Sequence, residues 1–158
     1  MNPQDFAVLA AQDYNRIPVS LEVLADLETP ISAYRKLAEG PYSFLFESVQ
    51  GGEKWGRYSI IGLPCRTVLK IYDHRVEIRE DGELTEQMEV ENPLAFVESF
   101  QQRYRTAPRE DLPVFHGGLV GYFGYDTVRY VEPRLASGGP EDELGNPDIP
   151  PMGAGEVL

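Results

Sequence analysis

Several things are scarce in this 158-residue sequence, and each scarcity excludes something. There is one cysteine, Cys65, so no internal disulfide is available, as suits a reducing compartment such as the cytoplasm. With only two histidines, His74 and His116, both far from Cys65, no zinc-ligand spacing exists and no Cys–His nucleophile is expected. Cys65 reads as a small buried apolar residue. Positive charge is sparse: 14 Lys and Arg face 26 Asp and Glu, a formal charge of −12. Phosphate backbones and anionic lipid surfaces attract basic clusters, and none is present, so neither nucleic acid nor membrane is an expected partner. No stretch approaches the roughly 20 apolar residues of a membrane span. Met1 to Gln12 has neither a basic region nor an apolar run, so no secretory leader is expected.

What is present is ordinary globular composition, 42% hydrophobic and 25% charged. Thirteen prolines and fifteen glycines point to many turns and a β-rich chain. The pattern predicts a short helix over 5–12 and extended chain at Arg16 to Leu21, where Pro18 disfavours helix before it. Thr29-Pro30 reads as a helix start, the threonine capping and the proline at the first helical position. Ile31, Tyr34 and Leu37–Ala38 then follow at helical spacing and are expected to face a core. Strands are predicted at 43–49 and from Trp55 to Leu63, followed by a hairpin of 66–72 with 75–79 about Asp73-His74. Asp81-Gly82 turns into a polar strand near 83–90. Asn92-Pro93 repeats the helix start, and Phe96, Phe100 and Tyr104 form one face of a helix ending near Arg105. A glycine-punctuated strand is predicted from Phe115 to Phe123, then a short helix from Tyr125 to Glu132. Of the last 26 residues five are Pro and five Gly, and no hydrophobic period survives. The expected fold is therefore α+β, a largely antiparallel sheet with a few short helices. Residues 1–132 form the domain and 133–158 a loop-like or disordered tail.

Three segments are candidates for chemistry. In Leu45-Phe46-Glu47-Ser48, alternation puts Phe44, Phe46 and Ser48 on one face and Leu45, Glu47 and Val49 on the other. A carboxylate in so apolar a strand either meets water at the strand end or is held by a charge or hydrogen bonds, such as a ligand ammonium. In Gly51 to Ser59, the phosphate-loop order is absent. Arg57 has the fork geometry to clamp a carboxylate, and Trp55 and Tyr58 would wall an apolar slot, although a hairpin with an aromatic core plug explains the same residues. The glycines of Gly117 to Asp126 lack the dinucleotide-binding spacing and read as structural, allowing close backbone approach, with Asp126 starting the next helix. The acids Glu77, Glu80, Asp81, Glu83, Glu86, Glu89 and Glu91 read as a solvated face, with no paired general acid and base.

Taken in order, these segments resemble the amino-terminal region of anthranilate synthase component I, the large subunit. The resemblance rests on Asn15-Arg16-Ile17-Pro18, on Thr29 to Tyr34, and on Phe44 to Val49. It continues through Gly51 to Gly62, Gly117 to Asp126 and Gly145 to Ile149. Each piece is weak alone, and their ordered sum over residues 10–149 is specific. The Glu47 to Ser59 run favours this family over its relative, the aminodeoxychorismate synthase large subunit. The resemblance implies the α+β fold of the family's amino-terminal domain and a part in tryptophan biosynthesis. Family members convert chorismate and ammonia into anthranilate and pyruvate with Mg2+, drawing ammonia from a glutamine amidotransferase subunit. Tryptophan inhibits by binding near a Leu-Leu-Glu-Ser element, here Leu45-Phe46-Glu47-Ser48, so Phe46 departs conservatively. Glu47 and Ser48, with Leu45 and less firmly Arg57, are then the expected contacts to L-tryptophan. The resemblance places the chorismate site and its magnesium-binding glutamates in a carboxy-terminal part not found in this sequence. No catalytic residue, metal ligand or cofactor is therefore expected within it. Beyond Ile149 the family continues with an apolar strand, whereas Pro150-Pro151 is hostile to a central strand. Two rival readings remain open: a freestanding amino-acid-binding module, and a structural piece that self-associates through surfaces made to be covered.

Overall fold

The structure, a computed structural model, describes residues 1–48, 58–113, 115–135 and 144–155. Within them it is α+β, with short helices and antiparallel strands. The helices α1 (Pro3–Ala10), α2 (Pro30–Leu37) and α3 (Pro93–Gln102) all begin the same way. A capping side chain precedes a proline at the first helical position, where the missing N–H costs nothing. Asn2 Oδ1 accepts from the Asp5 amide at 2.8 Å, and Asn92 Oδ1 from the Ala95 amide at 3.1 Å. At α2 the capping is reciprocal: Thr29 Oγ1 accepts from the Ser32 amide and Ser32 Oγ from the Thr29 amide. This signal places α1 two residues earlier than the hydrophobic pattern of 5–12 suggests.

Among the described residues five strands form one sheet, in the order β5 (Glu83–Glu89), β4 (Arg75–Glu80), β3 (Thr67–Tyr72), β7 (Ile149–Gly155), β6 (Gly118–Val120), and two more, β1 (Phe44–Glu47) and β2 (Ser59–Gly62), form a separate pair. β3 (Thr67–Tyr72) and β4 (Arg75–Glu80) are the predicted hairpin, with Asp73 at φ 53° in the turn. Asp81 and Gly82, at φ 51° and 87°, turn the chain into β5 (Glu83–Glu89). Two consecutive positive φ values match the right-handed twist of the strands they join. The register puts Leu69 opposite Ile78, Ile71 opposite Val76, and Val76 opposite Met88. These side chains share one face. With Phe100 of α3 and Ile149 they form the core, and Phe96, Val97, Tyr104 and Leu119 lie against it. Burial of each large side chain stabilises by about 1.5–3 kcal/mol. Phe96 and Phe100 thus form the expected core face of α3, but the helix stops at Gln102, short of Arg105, and Tyr104 reaches the core from beyond its end. The corresponding expectation for α2 is not met: Ile31 and Leu37 are more than half exposed, and only Ala38, beyond the helix, is fully buried.

The largest departure is at the end of the sequence. Residues expected to be a loop include β7 (Ile149–Gly155), which lies between β3 and β6 (Gly118–Val120). The Pro150-Pro151 pair is accommodated by a shift in register. Leu69 faces Met152 and Ile71 faces Ile149, so Pro150 and Pro151 together oppose Lys70 alone. Proline is tolerated at such bulges because no ladder hydrogen bond is asked of it. On its other side β7 pairs with β6 only through Gly153, Ala154 and Gly155, beyond both prolines. The strand predicted over Phe115 to Phe123 shortens to β6, and the helix after it is a 3-10 helix, Tyr125–Tyr130, whose capping position is Gly124 rather than Asp126. Asp126 instead pairs with Arg129 at 2.7 Å within that helix.

Candidate functional site

The strand carrying Leu45 and Glu47 is fixed by what precedes it. α2 ends at Leu37, and the chain turns through Gly40 at φ 153° and Tyr42 at φ 60°. A β-carbon on Gly40 would stand 2.8 Å from the Pro64 ring, so the turn needs glycine both for space and for conformation. Ser43 Oγ donates to the Gly40 carbonyl and lies 2.9 Å from the Tyr34 hydroxyl, tying α2 to the start of β1 (Phe44–Glu47). β1 pairs with β2 (Ser59–Gly62) in the register Phe44/Gly62, Leu45/Ile61, Phe46/Ile60 and Glu47/Ser59.

That register makes two unlike faces. On one, the Phe44 and Phe46 rings lie 4.7 Å apart, and Phe44 lies directly over Gly62. On the other, Leu45 and buried Ile61 form an apolar floor, and Glu47 and Ser59 stand at its open end. The alternation predicted from sequence is thus observed. Glu47 and Ser48 are both exposed, so the solvated strand end is what the structure shows. Ser48 lies just beyond the strand. Ser59, directly across from Glu47, is a hydroxyl that sequence reasoning missed; only the register of the hairpin reveals it. Arg57 and Trp55, with the glycine turn before them, lie outside the described residues.

Two cavities are found elsewhere. One of about 370 Å3 is bordered by Met1, Asp5, Leu9, Arg109 and Asp111. Its arginine is already engaged, with both nitrogens of the fork on the Asp111 carboxylate and Nη1 on the Pro18 carbonyl oxygen at 3.1 Å. The second, about 460 Å3, is an apolar groove between Leu94 of α3 and Phe123, Tyr125, Val128 and Val131. Neither is bordered by Leu45, Glu47 or Ser48. Among the described residues, the Leu45 face of β1 and β2 carries one acid, Glu47, one hydroxyl, Ser59, and the apolar pair Leu45 and Ile61.

Other singled-out residues have structural duties. Asn15 acts as a peptide mimic, donating to the Arg103 carbonyl at 2.6 Å and accepting from the Arg105 amide at 2.8 Å. Arg16 stacks over the Tyr104 ring at 4.8 Å, and its carbonyl accepts from the Ala107 amide. The Asn15 to Pro18 motif thus seats the amino-terminal arm on the end of α3. Gly124 meets the backbone of Asp148, donating to its carbonyl at 2.8 Å where a β-carbon would lie 2.7 Å away. This is the close approach its glycine run suggested. Cys65 is half-buried, donates to the Thr67 carbonyl and has its thiol pKa raised by burial, none of which suits a nucleophile. Among the described residues no three metal-ligating side chains come together, and no helix is long and apolar enough to cross a membrane.

No family profile matches the chain. Anthranilate synthase component 1 of Pseudomonas aeruginosa, however, is 64% identical over 149 residues, 94% of this chain. The chain matches the amino-terminal region of anthranilate synthase component 1. The Pseudomonas putida protein of the same name is 60% identical over the same length, and that of Acetivibrio thermocellus 45% identical over 157 residues. The chain spans about 30% of the length of these anthranilate synthase relatives.

Proposed function

We propose that the chain supplies the amino-terminal, regulatory part of an anthranilate synthase component 1 and carries a share of its tryptophan feedback site. The observation that carries this reading is the 64% identity over 94% of the chain. The β1–β2 face supports it chemically. A zwitterionic amino acid needs an acceptor for its ammonium, a donor for its carboxylate and an apolar surface for indole. Glu47 suits the first need, with the Ser59 hydroxyl across from it on the same face and Ser48 next in the chain. Leu45 and Ile61 give the apolar floor, and Arg57 is assigned to the carboxylate. We assign the remaining wall of the site to another part of the enzyme. On this reading the chorismate site, its Mg2+ and the contacts to the glutamine amidotransferase belong there too, and the chain alone makes no anthranilate.

The test uses an anthranilate synthase containing these residues. Glu47→Gln removes a charge-assisted hydrogen bond of about 1.5–3 kcal/mol, so the tryptophan concentration that halves activity rises about 10- to 100-fold while uninhibited turnover is kept. Unchanged inhibition sinks the assignment of Glu47. Anthranilate fluorescence from the 158-residue chain with chorismate, Mg2+ and ammonia sinks the non-catalytic reading. Saturable tryptophan heat with that chain by calorimetry favours a freestanding binding module instead.

A further inference from the structure

The segment Val19–Leu27 links the seated arm to α2 and has no regular secondary structure. Five of its nine residues are large aliphatics, and all five are turned out: Val19 69% exposed, Leu21 86%, Val23 69%, Leu24 88% and Leu27 98%. Single exposed leucines are common, but five exposed aliphatics within nine residues form an apolar strip along the chain of a kind that a surface rarely leaves uncovered. The strip is held at both ends. Before it, the Pro18 carbonyl accepts from Arg109, which is itself fixed by Asp111. After it, Glu28 accepts from Ser32 at 2.6 Å and is paired with Lys36, and the Glu28 amide closes a turn onto the Ala25 carbonyl.

We infer that Val19–Leu27 is a docking strip covered by the remaining polypeptide of the longer anthranilate synthase chain. This rests on the reading of the chain as part of that enzyme. Two observations select this occupant. The relatives are about three times as long as the matched region, so a large body of polypeptide is available in them to cover it. A second copy of this chain is the competing occupant, and a formal charge of −12 on each copy opposes that pairing. The acids Glu22 and Asp26 within the strip add to the repulsion. An enzyme partner would cover the aliphatics and leave those two carboxylates at the rim, where they stay hydrated.

Thiol labelling decides it. Leu24→Cys is placed in a Cys65→Ala background, in the 158-residue chain and in the Pseudomonas aeruginosa enzyme with its matched region replaced by this one. A maleimide should modify the isolated chain rapidly and at a rate independent of protein concentration. In the long protein the rate should fall at least tenfold. Glu22→Cys, at the rim, should react at similar rates in both and serves as the control. Should the chimera fail to fold, the aligned position of the unaltered Pseudomonas aeruginosa enzyme is labelled instead, with the same expectation. Equal Leu24→Cys rates in short and long proteins overturn the proposal. Protection in the short chain that grows with concentration, with a dimer by light scattering, also overturns it in favour of self-association. Tryptophan inhibition of the same chimera is measured separately. Loss of inhibition with Leu24→Cys still protected would count against the feedback site and not against the strip.

Discussion

The hydroxyl of Tyr130 donates to Oδ2 of Asp148 at 2.7 Å, with the Asp73 carbonyl oxygen 2.8 Å away. The same carboxylate oxygen accepts from the Asp73 amide at 2.7 Å. Three remote segments meet here: the β3–β4 turn, the 3-10 helix and the entry to β7. Burial, and then the bond to Asp148, push the Tyr130 hydroxyl above the usual tyrosine range. A raised pKa in the folded state means the bond's contribution is fully present below about pH 10, the unfolded value, and fades above it. Tyr130→Phe should cost about 1–2 kcal/mol at neutral pH by urea denaturation, given one charge-assisted bond at a half-buried site. It should also flatten the fall in stability above pH 10. A midpoint that does not move would show the bond to be idle.

Gly62 and Phe44 form a second such pair. A β-carbon on Gly62 would lie 2.0 Å from Cε1 of Phe44, an impossible contact that forces the ring off its neighbour Phe46. Gly62→Ala should destabilise by about 1–3 kcal/mol, as overpacking does. In a Phe44→Ala background the same change should cost far less, a coupling that a double-mutant cycle measures. Additive costs would mean the ring does not rest on the glycine.

These two contacts show where legibility ends. The hairpins and capped helices were readable because their signals are local: Asp81-Gly82, Thr29-Pro30 and Asn92-Pro93 each act within a few residues. The β1 alternation was readable too, but whether Glu47 was enclosed was not, since that depends on what lies across the face. Ile31 and Leu37 make the same point: periodicity says that a face wants covering, not what covers it. β7 was missed because its pairing partners are about 80 residues earlier in β3 and about 35 earlier in β6, and because the local proline rule overrode the pattern. A bulge that absorbs two prolines is a tertiary arrangement with no local signature.

The Arg109–Asp111 pair gives a prediction at the acid end. Hydrogen bonding from Arg109 lowers the Asp111 carboxyl from 3.8 to about 2. For a lowered acid the contribution is present above the unfolded value and is lost as pH falls through the folded one. The window is therefore about pH 4 down to 2. Asp111 is largely exposed, so the neutral-pH effect of Asp111→Asn should be small. Its signature is a shallower loss of stability across that window, followed by circular dichroism. Identical acid profiles for the two proteins would count against the pair.

The sharpest test of the architecture is at β7. Ile149 is fully buried in the core and pairs with Ile71, and the strand supplies the only link between β3 and β6 among the described residues. Removing one buried isoleucine side chain costs about 2–5 kcal/mol. Total stability of a domain is about 5–15 kcal/mol, so losing the whole strand removes most of the margin. A chain ending at Pro147 should therefore lose its cooperative urea transition, and its far-ultraviolet circular dichroism should lose strand signal. Ile149→Ala in the intact chain should lower the midpoint without abolishing the transition. If the truncated chain unfolds with the same midpoint and slope, residues 149–155 are a tail after all, and the proline rule was right.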